Sequence, residues 1–143
     1  MSDGAKPVGL ALPLPVLMGL AWLVPGLGHA LLGRRLRAAV FFVVITLGFI
    51  VGLLLDGELM LPQSGDALSF LAMIGSDPLR SLALIASVGN GLLFFVAHAI
   101  GTGQGVVTAP GYEFGNTFLL TAGMMNLLLV LDTHDIATGR KDW

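Results

Sequence analysis

Residues 38–55 read AAVFFVVITLGFIVGLLL, eighteen positions without a charge, set between Arg37 and Asp56. A helix that crosses a bilayer needs roughly 20 mainly apolar residues, with a range of about 17–25. The run also lacks the alternation of apolar and polar residues that marks a strand of a membrane barrel. Three further charge-free runs, 7–33, 81–112 and 114–131, lie on either side of it. Each run has room for one crossing helix and not for two. The expected spans are 10–32, 38–55, 81–100 and 116–132. The fold class that follows is an all-α polytopic membrane protein, a single domain over 1–143, in the form of a four-helix bundle.

Composition agrees. Of 143 residues, 55% are hydrophobic and 11% are charged, and the mean hydropathy is +0.89. A soluble domain has about 25% charged residues, so the composition argues against a soluble globular enzyme and against a disordered or fibrous chain. A net charge of −2 removes the electrostatic case for nucleic acid. The chain has no cysteine, which excludes disulfides, thiolate metal sites and a Cys nucleophile.

Two segments depart from a plain helix. Pro13 and Pro15 open the first span, and Pro25-Gly26 breaks it, because proline removes a backbone donor and clashes with the preceding turn. A signal peptide competes for this segment, with Lys6 as its basic start and a cut near Ala30. The 56–80 loop carries Asp56, Glu58, Asp66 and Asp77. Within it, 66–75 reads as a short interfacial helix, capped by Ser64 or Asp66 and ended by Gly75. Its apolar face would be Leu68, Phe70, Leu71 and Ile74.

Orientation rests on Lys and Arg near the span ends. Arg34, Arg35 and Arg37 place the first loop in the cytoplasm. Four spans then put both termini and the 56–80 loop outside, together with Lys6, Arg80, Arg140 and Lys141. A fifth crossing at 59–76 would tidy that tally. It would also bury Pro62, Gln63 and Asp66, and an Asp alone costs about 2.5–3.5 kcal/mol at a helix centre.

The string WLVPGLGHALLGRR at 22–35 has the form W-x-x-P-G-x-G-H followed by a glycine and a basic turn. Over roughly 15–55 it resembles the TM-two transmembrane hairpin domain. Taken with TFLLTAGMMNLLLVLD at 117–132, it is similar to a group of uncharacterised small bacterial integral membrane proteins. The resemblance implies the class, the multi-pass topology and a place in the bacterial inner (cytoplasmic) membrane. It brings no activity.

In physical terms the string is a boundary turn. Gly26, Gly28 and Gly33 permit the fold-back. Arg34, Arg35 and Arg37 then meet anionic headgroups, at about 1 kcal/mol per charge. Pro25 frees carbonyls about a turn upstream, and His29 is the nearest side chain able to donate to them.

Further polar groups suggest sites, each with a plainer structural use. Parallel first and third spans would put His29 and His98 in one leaflet, where two imidazoles can hold a haem or part of a metal site. The alternative is a bond from each to a carbonyl or headgroup. Asp132, His134 and Asp135, with Asp56 and Glu58, could hold a divalent cation on the other side. The alternative is simple pairing with Arg80, Arg140 or Lys141. Gly48, Gly52, Ser87, Asn90, Gly91, Thr117, Thr121 and Asn126 read as helix-packing positions. An Asn/Thr-lined pathway is the competing use. Gly101-Thr-Gly103-Gln-Gly105 follows a membrane helix and not a strand, so it is no nucleotide loop. The serines and threonines have no triad partners.

The expected function is a non-enzymatic scaffold or accessory subunit with no cofactor. Its partners would be the lipid bilayer and a second copy or a larger membrane complex. A small transport or channel-like protein is the first alternative, and a haem- or metal-binding electron-transfer subunit the second.

Overall fold

The computed structural model describes residues 12–60, 72 and 75–141. Among these are six helices: α1 (Leu14–Leu23), α2 (Leu27–Leu31), α3 (Arg35–Leu54), α4 (Pro78–Gly89), α5 (Leu92–Ala99) and α6 (Tyr112–Ala137). No strand occurs among the described residues, only one antiparallel bridge between Glu58 and Gln104. Lys6, most of the expected 66–75 helix and the possible crossing at 59–76 beyond Met60 lie outside the described residues.

Two helices, α3 with 20 residues and α6 with 26, are long and apolar enough to cross a membrane; a third candidate appears only if α4 and α5 count as one span. At about 1.5 Å per residue, they reach about 30 and 39 Å. The expected 10–32 span is instead two short helices separated at Pro25, where Gly26 adopts φ +79°. The expected 81–100 span is also broken. Its halves, α4 and α5, meet at Asn90-Gly91 with a bend of 92°.

This second break replaces the single straight helix expected over 81–100. Arg80 near the start of α4 and His98 near the end of α5 line one cavity with Glu58 and Gln104. The bent pair therefore enters and leaves at the same end of the bundle, here the Glu58 end. Its two flanking loops are tied to each other: Leu59 N–H donates to Gly103 O at 2.8 Å and Val106 N–H to Asp56 O at 3.2 Å.

As a result α3 and α6 run antiparallel, where four crossings would make them parallel. Gly52 faces Gly115 and Leu119, while Gly48 faces Ala122. His29, just before α3, bonds Asp132 near the end of α6. The opposite, Arg34 end of the bundle thus holds the start of α3 and the finish of α6.

α6 is the element the others share, packing against α3, α4, α1 and α2. The apolar core contains Ile45, Phe49, Leu59, Phe94, Leu119 and Leu129. Most of α3 faces outward, with Val40, Val43, Leu47 and Ile50 exposed. In lipid an apolar face gains little by being covered, so close packing and hydrogen bonds decide how the helices join.

Candidate functional site

Both helix breaks meet halfway along α6. α1 and α4 end there, and the last carbonyls of a helix have no partner of their own. Asn126, fully buried on α6, supplies the donors. Its Nδ2 donates to Trp22 O and to Gly89 O, both at 2.8 Å. Trp22 Nε1–H donates to Val88 O at 3.0 Å. Asn90 Nδ2 donates to Ala86 O at 3.0 Å and to Leu119 O at 3.3 Å. Gly91 makes the contact possible. Its φ is +61°, and a Cβ there would stand 2.1 Å from Trp22 O. The Oδ1 atoms of Asn90 and Asn126 are buried without a partner among the described residues.

The donor expected for the carbonyls upstream of Pro25 was His29; the structure gives that role to Asn126. His29 instead points to the Arg34 end. Its ring is fully buried, with Nε2 2.9 Å from Asp132 Oδ2 and Nδ1 3.4 Å from Thr133 Oγ1. Phe41 packs edge-on at 5.3 Å. Gly28 lies so close to Thr133 that a Cβ there would stand 2.5 Å from its side chain. The other oxygen of Asp132 accepts from Lys141. Arg34 N–H closes the turn on His29 O at 2.8 Å, next to Gly33 at φ +82°. Arg35 and Arg37 follow in the first turn of α3.

The remaining candidates separate. His29 and His98 sit at opposite ends of the bundle, so they cannot share a haem or metal. Asp132, His134 and Asp135 lie at the Arg34 end while Asp56 and Glu58 lie at the other, which divides the expected cation site. Among the described residues no three His, Asp or Glu side chains gather as a metal site. Thr117 and Thr121 are exposed, so they line no interior. Ser87 Oγ accepts from Met60 N–H at 3.0 Å.

At the Glu58 end the chain forms an open cavity of about 390 Å³ with Phe94 and Leu59 as apolar wall and Glu58, Arg80, His98 and Gln104 as polar groups. Glu58 is held from two sides. Its N–H donates to Asn116 Oδ1 and its Oε2 accepts from Tyr112 O–H, both at 2.7 Å. Nothing in the residue pattern assigns Tyr112, Arg80 and Gln104 such a role, because the cavity exists only once α5 turns back.

Among the described residues, all-helical but for one isolated bridge, two or three helices are long and apolar enough to cross a bilayer, which points to the class of membrane proteins. More particularly, residues 16–142 match the model of a family of unknown function, DUF6677, and the chain belongs to that family. Comparison with curated proteins and with solved structures gave no match.

Proposed function

We propose that this is a small multi-pass membrane protein in which α3 and α6 cross the bilayer in opposite directions and α4–α5 dips in and out on one side. It serves as a non-enzymatic scaffold or accessory subunit. The observation that carries this reading is how the interior polar side chains are used. Asn126, Asn90 and Trp22 bind carbonyls in the last turns of helices, Asn116 and Ser87 bind loop amides, and Thr133 binds Leu129 O of its own helix. They hold a shape.

The outward surface is then what acts. Between α3 and α6 runs an apolar groove floored by Gly48 and edged by Val44, Leu47, Phe118 and Met125, suited to lipid, a second copy or a larger complex. Re-entry also orders the charges. Arg34, Arg35, Arg37, Arg140 and Lys141 share one end, and Arg80 lies at the other. The positive-inside rule puts the Arg34 end in the cytoplasm, for a protein of the bacterial inner membrane.

The test is assembly. In a chain without native cysteine, Leu47→Cys should cross-link between copies or to a co-purifying subunit in mild detergent. A protein that is monomeric and partner-free, with no cross-link in membranes, overturns the scaffold reading. A second reading, a small transport-type or solute-binding protein, is favoured by the Glu58-end cavity beside a broken helix pair.

A further inference from the structure

We propose that the cavity at the Glu58 end binds a zwitterion, a group that carries an ammonium and an anionic phosphate or carboxylate a few atoms apart. The argument starts from charges that share a space without meeting. Glu58 and Arg80 line the same cavity and do not pair with one another or with any other described side chain of opposite charge. His98 and Gln104 line it too, and neither ring nor amide has a partner among the described residues.

Glu58 is the fixed pole. Asn116 anchors its backbone and Tyr112 holds Oε2, which leaves Oε1 as an acceptor set in place. A site with prepositioned groups loses little freedom on binding. Arg80, at the first turn of α4, is the opposite pole, and its guanidinium recognises phosphate or carboxylate by paired hydrogen bonds. His98 and Gln104 add donors beside it.

The same pair of poles rejects simpler ligands. A plain anion would face the Glu58 carboxylate, and a plain cation would face Arg80. Like charges set together this way act against the wrong partner. A zwitterion satisfies both, with its apolar atoms against Phe94 and Leu59. Two sources supply this chemistry: the phosphoethanolamine headgroup of a membrane lipid, and a soluble amino acid. The proposal rests on the cavity and needs no assumption about assembly, so it stands or falls apart from the scaffold reading.

The experiment uses the full chain in mild detergent. Native mass spectrometry with equimolar phosphatidylethanolamine, phosphatidylcholine and phosphatidylglycerol reads retained lipid. For a headgroup site, phosphatidylethanolamine is retained about tenfold over both others, the worth of one ammonium-to-carboxylate hydrogen bond: the quaternary ammonium of phosphatidylcholine has no donor, and the glycerol of phosphatidylglycerol has donors but no positive charge. Glu58→Gln still accepts from Tyr112 and should erase the preference over phosphatidylglycerol. Arg80→Gln, on an exposed side chain, should weaken retention of all three.

In a second arm, millimolar glycine or O-phosphoethanolamine is added and the melting temperature followed. A rise in the wild type that is lost in both variants, without lipid preference, assigns the site to a soluble zwitterion. Equal retention of the three lipids together with no response to either soluble probe overturns the proposal. So does wild-type behaviour in both variants.

Discussion

Replacing Asn126 by leucine isolates the device that holds the two helix breaks together. The side chains are similar in size, so the change removes hydrogen bonds and leaves little void. Two carbonyls, Gly89 O in a buried bond and Trp22 O in a partly buried one, lose a donor at 2.8 Å. A buried group left unpaired costs about 1–3 kcal/mol, so the two lose about 2–6 together. Against this, the unpartnered Oδ1 of Asn126 disappears, returning about 1–3 kcal/mol. The net expectation is a destabilisation of about 1–3 kcal/mol, in keeping with interhelical hydrogen bonds in membranes that reach about 1.7 kcal/mol each. Reversible unfolding in mixed micelles measures it. The matched control is Thr117→Val, whose exposed hydroxyl bonds Glu113 O of its own helix and whose loss should stay within about 0.5 kcal/mol. If Asn126→Leu is as stable as the control, the junction does not depend on this amide and the polar stripe of α6 must have another purpose.

Three further outcomes are expected. Gly91→Ala combines a φ of +61° with a Cβ 2.1 Å from Trp22 O; it should cost about 3 kcal/mol or more, read as lost folded yield or a much lower melting temperature. A double-mutant cycle with His29→Gln and Asp132→Asn should give a coupling of about 1–2 kcal/mol, because the imidazole is fully buried and the carboxylate about a quarter exposed; additive effects would show that the pair contributes nothing. Gly52→Ala should destabilise more than Gly48→Ala, since the first Cβ would stand 2.7 Å from Leu119 and the second 3.9 Å from Ala122; equal melting temperatures would mean that α3 and α6 are not packed this closely.

Much of this architecture is legible in the residues. The 38–55 run carries no competing signal, and α3 matches it, starting three residues earlier and ending at Leu54 with Leu55 as its cap. Pro25 marks the first break because a missing N–H is a local property. The second break is another matter. Residues 81–100 have the length and composition of a span, and hydropathy counts apolar residues without saying which way the chain runs. Asn90-Gly91 is a turn dipeptide, yet Ser87-x-x-x-Gly91 also has the form of a packing motif, and only the contact with Trp22 decides between them. Reading 81–100 as one straight helix then propagates. It sends Asp132 away from His29 and brings His98 toward it, reversing both pairings. The scattered basic residues carried the same signal: in the folded chain Arg140 and Lys141 lie at the same end as the arginines of the first turn. The cavity was illegible for the same reason, since Glu58 and Gln104 are brought together only by the returning helix.

The central claim is that α4–α5 returns to the side it left. The absence of native cysteine allows a direct test. Asp56→Cys, Val107→Cys and Thr138→Cys each place one thiol at an exposed position. A membrane-impermeant maleimide is then applied to sealed, oriented vesicles. The account predicts that Asp56→Cys and Val107→Cys are modified from the same face and Thr138→Cys from the opposite one. Modification of Asp56→Cys and Val107→Cys from opposite faces would make the bent pair a true crossing and contradict the account.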